Sequence, residues 1–277
     1  MGRAKEIIVK VIPAKIANEF VKKHHYSGRV AMSSIIHFGC FLDDKLHGVL
    51  SFGNPFDKRR VIGLVENTGW NEFLELNRMA FDEYLPKYSE SRCISICIKL
   101  IKKNAPHIKW ILSFSDGSMC GDGTIYRASG FVLTSIKKNQ SIMKTPSGIN
   151  FTSMSFTNKG KNGSPLKMKA VIDDLKKQGF EYKETGAASV KQFKDAGCNY
   201  VDGFQLRYIY LIDKTCKITV PILPFSKIDE MGAGMYKGEK VSLQERKQNA
   251  AIAHLGERLA SSQGGAFDAT MPLNSLI

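Results

Sequence analysis

Two short segments of the sequence carry side chains that can exchange protons. His25 and Tyr26 stand together before a serine–glycine turn, and the imidazole can also bind phosphate or a metal. Asp116 follows an apolar run at 110–114 and precedes a glycine, so its carboxylate can accept a proton from an amine or hold a ligand. A histidine at a helix C-terminus and an ordinary Asp-Gly turn are the structural alternatives.

Tyr126 lies ten positions after Asp116, in a segment (123–130) where a glycine-bearing loop opens a short predicted helix. Backbone N–H groups at such a start can take an anion, and Arg127 adds a positive charge. The short spacing allows Tyr126 and Asp116 to share a pocket. A half-buried ring with its hydroxyl in water is the alternative for Tyr126.

A further polar group lies between a predicted strand at 74–81 and a predicted helix at about 91–103. It contains Arg78, one serine of the pair Ser89 and Ser91, and Arg92, with Ser89 as a possible N-cap. The end of a strand, a polar turn and a helix N-terminus together form a place for phosphate or carboxylate.

The elements that position these residues follow from periodicity. A β-branched run at 7–12 precedes a helical pattern at 14–24, and the runs at 34–42 and 46–52 flank three polar residues, which favours a hairpin. Further strands are predicted at 110–114, from residue 131 and at 206–212. This order predicts an α/β (α+β) fold with a mixed central sheet flanked by helices.

An insertion is predicted before the last strand, at about 137–205. Residues 137–164 are rich in Lys, Ser, Asn and Gly, which predicts a mobile basic loop, and helices are expected at 166–178 and 188–196. The insertion belongs to a catalytic domain over residues 1–226. Residues 227–277 are predicted as a C-terminal tail that is partly helical, at 245–260, or disordered.

Charge favours a polyanionic partner. The formal net charge is +14, and residues 227–277 hold six basic and six acidic residues, so the whole excess lies in residues 1–226. Nucleic acid is the first expectation, with ribosomes, membranes and acidic proteins as alternatives. The six cysteines include no Cys-x-x-Cys pair and are predicted to be buried reduced thiols. We expect no membrane span and no secretion signal, and therefore a cytoplasmic protein.

Several of these segments, taken as an ordered set, resemble the Mom family of phage DNA-modification proteins. They are His25-Tyr26, Leu76-Asn77-Arg78-Met79, the turn Ser89–Arg92, Phe114-Ser115-Asp116 and Gly123–Phe131. The resemblance covers roughly residues 7–135 and the strand near 206–212. It implies a GNAT-like acyltransferase fold and a transferase that converts adenine in double-stranded phage DNA to N6-carbamoylmethyladenine, which protects the DNA from host restriction in the host cytoplasm.

The resemblance also implies roles for single residues. It places His25, Tyr26, Asp116 and Tyr126 in the active site, and Ser91 is chosen as a fifth catalytic candidate. Iron has been proposed for the family, and imidazole and oxygen side chains such as those of the first four suit iron. Residues expected to contact substrate or DNA are Arg78, Arg92, Arg127, Lys137, Lys138 and Lys144.

The donor of the added group is left unidentified by the sequence. An ordinary GNAT enzyme has a glycine-containing loop at the start of this helix, because glycine backbones cradle the coenzyme A pyrophosphate. Residues 89–95 contain no glycine, which argues against acetyl-CoA. A conventional N-acyltransferase acting on a protein or small amine, and a non-catalytic DNA-binding protein, are the two alternative functions.

Overall fold

The protein is described by a computed structural model, which covers residues 3–152, 165–181, 190–236, 238–245 and 247–248. The strands are β1 (Ile8–Val11), β2 (Ser34–Leu42), β3 (Lys45–Gly53), β4 (Phe73–Phe81), β5 (Trp110–Asp116), β6 (Val132–Lys138), β7 (Ile142–Lys144), β8 (Asn150–Thr152), β9 (Asn199–Tyr200), β10 (Phe204–Leu211), β11 (Met235–Tyr236) and β12 (Glu239–Lys240). The helices are α1 (Ala14–His24), α2 (Lys58–Val61), α3 (Ser89–Asn104), α4 (Thr124–Ala128), α5 (Pro165–Lys177), α6 (Val190–Asp195) and α7 (Ser226–Glu230).

A split seven-stranded sheet is the centre of the fold. Its order is β1-β2-β3-β4-β5-β10-β6, and every neighbouring pair is antiparallel except β4 and β5, which run parallel. Those two strands pair only at Phe73–Trp110, Leu74–Ile111 and Glu75–Leu112, although both continue beyond these residues. The sheet therefore opens between β4 and β5 just after Glu75. The predicted mixed sheet flanked by helices is confirmed.

The two faces of the sheet are covered by different elements. On one face, α3 packs its apolar stripe, including Ile94 and Cys97, against Leu74 and Leu76 of β4. On the other face, α1 packs Ala17 and Val21 against residues of β3 and β4. The amphipathic spacing that predicted α1 and α3 thus supplies the packing that closes the sheet on both sides.

The insertion between β6 and β10 has its own small core. Strands β8, β7 and β9 form a three-stranded sheet, against which α5 and α6 pack. The two predicted helices are confirmed within a few residues. The prediction of a mobile loop is wrong over residues 137–152, because β6 extends to Lys138 and because Met143 and Phe151 are buried against the helices. The rest of that predicted loop lies outside the described residues.

Three smaller predictions are also corrected or qualified. Ser89 is the first residue of α3 and not its N-cap, which is Tyr88 in a left-handed conformation with φ 69°. Residues 226–230 are helical, whereas the only helix predicted from residue 226 onward was at 245–260. Most of the range 245–260 lies outside the described residues. Four cysteines are buried and reduced as predicted, but Cys120 and Cys216 are partly exposed. No helix in the described ranges is both long and apolar enough to cross a membrane.

Candidate active site

Asp116 ends β5 at the open side of the split, and two neighbours bind its carboxylate. Its Oδ1 accepts a hydrogen bond from the Ser118 backbone N–H at 3.1 Å, and the Tyr26 hydroxyl lies beside it and favours its ionised form. Burial has the larger effect and raises the pKa of the Asp116 carboxyl. Asp116 is therefore a stronger proton acceptor than an exposed aspartate, and its bond to the Ser118 N–H is the one expected of the Asp-Gly turn alternative.

Tyr26 reaches this carboxylate from the loop that follows α1. The residue is 48% exposed, and its hydroxyl interacts with the Asp116 carboxylate. Burial of the hydroxyl, followed by the nearby charge of Asp116, raises the pKa of Tyr26 well above its ordinary value. Tyr26 therefore acts as a neutral hydrogen-bond donor and not as a phenolate.

His25 is the C-cap residue of α1, and its ring lies 4.3 Å from that of Tyr26 between centroids. Its Nδ1 accepts the Ser27 backbone N–H at 3.2 Å and lies 2.8 Å from the Ser27 hydroxyl. Burial, and then the Arg78 charge, lower the pKa of His25 to about 4. The His25 ring is neutral at pH 7 with its proton on Nε2, so His25 does not act as a charged cap of the α1 dipole.

Arg78 fastens the His25–Tyr26 loop to β4. Its Nε donates to the Arg29 carbonyl at 2.8 Å, and a terminal nitrogen donates to the Asn77 carbonyl at 2.6 Å. Because the guanidinium is held by backbone oxygens of the chain itself, its main effect here is to position the loop and to supply positive charge near Tyr26.

Glu75 is a site residue that the sequence reasoning did not select as catalytic. It is the last residue of β4 that pairs with β5, so it lies at the vertex of the split. Burial raises the pKa of its carboxyl to about 7, although contacts with Asn77 and the charge of Arg78 oppose the rise. The available signal was a single carboxylate inside the otherwise apolar run Phe73–Leu76. Glu75 is a second proton acceptor suited to neutral pH.

Tyr126 approaches the split from the opposite face of the sheet. It is only 8% exposed, so the alternative of a half-buried ring is wrong. Burial raises the pKa of Tyr126 to about 12, and the charges of Cys120 and Glu75 add to this rise. Gly123, with φ +82°, starts α4 directly against the Tyr208 ring, where any side chain would clash.

A cavity of about 430 Å³ opens beside Asp116. Two of the predicted DNA-contacting residues, Lys137 and Lys138, line it together with Asp116. The remaining lining residues are Asn139, Gln140, Ser141 and Gln205. The structure therefore brings a proton acceptor, two cations and uncharged polar side chains into one cavity.

Other predicted site residues lie elsewhere. Ser91 and Arg92 line a second cavity of about 990 Å³ on the outer side of α3, where the Ser91 hydroxyl bonds the Tyr88 carbonyl at 3.2 Å. Arg127 is paired with the buried Asp122 at 2.9 Å, so the chain's own carboxylate occupies the predicted anion position. Lys144 belongs to the sheet of the insertion. Catalytic and DNA-binding roles for these four residues stay predictions.

Comparison with known families accounts for this arrangement. The sequence model described as the Mom protein family matches residues 6–227. The chain belongs to the Mom family. A curated relative, the methylcarbamoylase mom of Escherichia phage Mu, is 37% identical over 131 residues, which are 46% of this chain and 53% of that protein. The chain thus spans about half the length of this Mom relative.

Solved structures of acetyltransferases overlap with this Mom-family chain only loosely. A Bacillus subtilis acetyltransferase in complex with CoA is 11% identical, with 74% of this chain and 98% of that chain covered and a TM-score of 0.37. An N-acetyltransferase from Staphylococcus aureus Mu50 is 8% identical, with 74% and 98% covered and a TM-score of 0.39. We draw no functional conclusion from similarity at this level.

A strap that follows the Mom match packs on the loop after Asp116. The Asp122 N–H donates to the Met235 carbonyl at 3.1 Å, and the Gly238 N–H donates to the Cys120 carbonyl at 3.0 Å. Met235 is buried, and β11 and β12 form a short hairpin there. Residues 233–236 and 238–240 therefore hold the loop between Asp116 and α4. The domain boundary at 226/227 stays a prediction.

The four predicted iron ligands of the Mom-family site come from both faces of the sheet: His25 and Tyr26 from the loop after α1, and Tyr126 from α4 on the α3 side. Among the described residues, no three His, Cys, Asp or Glu side chains lie close enough to share a metal ion. We derive no step through iron, and iron binding stays a prediction of the sequence.

Proposed function

We propose that this protein is a DNA-modification enzyme that converts adenine in double-stranded DNA to an N6-substituted adenine of the N6-carbamoylmethyl type. The observation that carries the proposal is the pair of carboxylates with raised pKa, Asp116 and Glu75, at the split of the sheet. Membership of the Mom family supports it, as does a relative named for methylcarbamoyl transfer.

The chemistry of the adenine amine explains the need for such carboxylates. The N6 lone pair is delocalised into the ring, so N6 attacks an electrophile well only if its proton is removed as the new bond forms. Asp116 is placed to accept that proton, and Glu75 is the alternative acceptor. Tyr26, which stays protonated, can donate a hydrogen bond to Asp116. In the balanced step, the N6–carbon bond forms, the donor's bond to its leaving group breaks, and the N6 proton passes to the carboxylate.

Access to N6 requires that the target nucleotide leave the duplex. Enzymes that act on a base rotate it out of the stack, at a cost of a few kcal/mol. Lys137 and Lys138 are exposed beside Asp116 and can hold the phosphates of the extruded nucleotide. The charge of +14 supplies the general attraction to the DNA backbone.

The biological consequence is protection of DNA. An adenine that carries a substituent on N6 no longer presents an unsubstituted amino group in the major groove, where a restriction enzyme reads this group, and the added group hinders contact there. A phage gene product with this activity acts in the host cytoplasm on double-stranded DNA. The donor is a small molecule whose identity the proposal leaves open.

The test is mass spectrometry of deoxyadenosine from a restriction-tolerant bacterium that expresses the protein. We expect a deoxyadenosine heavier by one carbamoylmethyl group with the wild type, and a loss of at least about 100-fold with Asp116→Asn. Asp202→Asn, a change of the same type at an exposed position, is the matched control. Unmodified DNA from a folded wild-type protein, in cells infected with a phage from which its own Mom-family gene has been deleted, would overturn the proposal.

A GNAT-type N-acyltransferase acting on a protein or small amine is the second candidate. It is favoured by the cavity on α3, where Lys5, Arg92 and Lys99 suit a phosphorylated donor. Calorimetry with coenzyme A measures this directly. Tight binding together with unmodified DNA would favour the second candidate over the first.

A further inference from the structure

A row of three polar residues crosses three adjacent strands on one face of the sheet. In the strand register, Gln205 of β10 is opposite Asp116 of β5 on one side and opposite Lys137 of β6 on the other. Residues directly opposite each other have Cβ atoms about 4.5–5.5 Å apart. The row therefore places a carboxylate, an amide and an ammonium side by side.

The alternation of the strands shows that the row faces the substrate side. Leu206 and Ile136 pack in the core beneath α3, so the residues before and after them in sequence point to the opposite face. Asp116, Gln205 and Lys137 line the same 430 Å³ cavity, which confirms this assignment.

The Gln205 amide is available for a ligand. The residue is exposed, and its side chain makes no hydrogen bond within the described part of the chain. The other amide of the strand end, Asn139, behaves differently: its Nδ2 donates to the Ile142 and Val201 carbonyls, and its Oδ1 accepts two backbone N–H groups. The Asn139 side chain is therefore used to fix the loop at the edge of the cavity, whereas the Gln205 amide is available to contact a ligand in the cavity.

We propose that the cavity beside Asp116 receives an extruded adenine and that Gln205 recognises its N6–N7 edge. Asparagine and glutamine amides match this edge of adenine, because the amide oxygen accepts from N6–H and the amide nitrogen donates to N7. Lys137 at the end of the row binds a flanking phosphate. This inference rests on the proposed function and adds to it the residue that selects the base.

The two N6 hydrogens divide between the two neighbours in the row. One is held by the Gln205 oxygen on the N7 side, and the other faces Asp116, which accepts it when N6 is substituted. The product keeps a single N6–H, which Gln205 continues to hold. Guanine has an O6 acceptor in place of this amine. Its O6, which carries a partial negative charge, would face the partially negative Gln205 amide oxygen and the negative Asp116 carboxylate.

The experiment measures the affinity for short single-stranded oligonucleotides, in which the base is already unstacked. Each contains one adenine or one 7-deazaadenine in a pyrimidine background, and 7-deazaadenine lacks the N7 acceptor. We expect the wild type to bind the adenine oligonucleotide about 10- to 100-fold more tightly. Gln205→Ala should bind both alike. Gln205→Glu should prefer 7-deazaadenine, because a carboxylate repels N7 but keeps an acceptor for N6–H.

Gln244→Ala is the matched control, since Gln244 is an exposed glutamine outside the lining of this cavity and is expected to keep the wild-type preference. Equal wild-type affinity for both oligonucleotides, or an unchanged preference in Gln205→Ala, would overturn the inference. Deoxyadenosine from cells expressing the same variants separates the two proposals. If the cells contain the adduct but the protein shows no preference for adenine, the proposed function is retained and the role of Gln205 is rejected. If the protein prefers adenine but the cells contain no adduct, the role of Gln205 is retained and the proposed function is rejected.

Discussion

The cavity beside Asp116 and the cavity on α3 differ in chemistry more than in accessibility. The α3 cavity is larger, about 990 Å³ against 430 Å³, and four cations line it: Lys5, Lys87, Arg92 and Lys99. Its described lining includes no carboxylate. The smaller cavity combines cations with Asp116 and an amide. Both cavities therefore have the positive charge and the volume to bind an anionic ligand. In the described lining, a carboxylate that can accept a proton is present only in the cavity beside Asp116.

The cause of this difference is the sheet. The opening of β4 from β5 after Glu75 leaves strand ends and polar side chains without a neighbouring strand, and the loop after α1 brings Tyr26 to the gap. The α3 cavity is built instead from the outer surface of a helix. Among the described residues, the two carboxyl groups whose pKa is raised, Asp116 and Glu75, both lie at this split.

The largest expected effect compares one catalytic candidate in each cavity. Asp116→Asn should lower DNA modification by about 100- to 10,000-fold, because it removes the proton acceptor. Ser91→Ala should change it by less than about threefold, because that hydroxyl bonds only the Tyr88 carbonyl. Adduct yield per deoxyadenosine measures both variants. If Ser91→Ala lost as much modification as Asp116→Asn, the α3 cavity would also take part in the chemistry, and the contrast between the two cavities would be wrong.

Glu75→Gln should have the next largest effect, about 10- to 100-fold near pH 7. Because the pKa of Glu75 is about 7, the wild-type carboxyl takes up a proton as the pH falls through 7 and can no longer accept one from the substrate. The rate should therefore fall below pH 7 in the wild type, and this limb should disappear in the variant. An unchanged pH–rate profile would remove Glu75 from the mechanism.

Tyr26→Phe should lower the rate roughly tenfold. The Tyr26 hydroxyl favours the ionised form of Asp116, so loss of this hydroxyl raises the pKa of the Asp116 carboxyl. The part of the acid limb that reports Asp116, as distinct from Glu75, should therefore move to higher pH. Tyr84→Phe removes a similar contact, a tyrosine hydroxyl 2.7 Å from Asp43, far along the chain from the site. It serves as the control, and a limb that moved equally in both variants would contradict the role of Tyr26.

The smallest expected effect is on the salt dependence of DNA affinity, which we compare between lysine variants of the two cavities. Replacing Lys137 and Lys138 together by alanine should lower the slope of log affinity against log salt by about 2, since each phosphate contact contributes about 0.9. Replacing Lys5 and Lys99 at the α3 cavity removes the same charge and should leave the slope near the wild-type value. Titration of a duplex at several salt concentrations measures both. Equal changes would mean that DNA contacts both cavities.

Much of the fold was predictable because its signals are local. The helical spacing over Ala14–His24 and the two apolar runs of the β2–β3 hairpin lie within one element each. The strands β7 and β8 were missed because three apolar residues in a polar segment become a strand only when α5 and α6 cover them. Their stability comes from packing between residues that are distant in the sequence.

The site divides in the same way. Asp116 and Tyr26 could be predicted because polar residues at the ends of elements stand out in the sequence. Glu75 and Gln205 could not, because within a strand an isolated polar residue looks like part of an exposed face. Ser91 and Arg92 were expected near Asp116, yet they line the other cavity.

The sequence by itself determined the elements, the excess of positive charge and the family, since these depend on residue types and their spacing along the chain. The tertiary structure alone decided which of the polar residues share a cavity. The register of β5, β10 and β6 aligns Asp116 with Gln205 and Lys137, and the parting of β4 from β5 after Glu75 leaves this residue at the vertex. Strand pairing joins residues far apart in sequence, and burial by those partners sets the pKa values on which the chemistry depends.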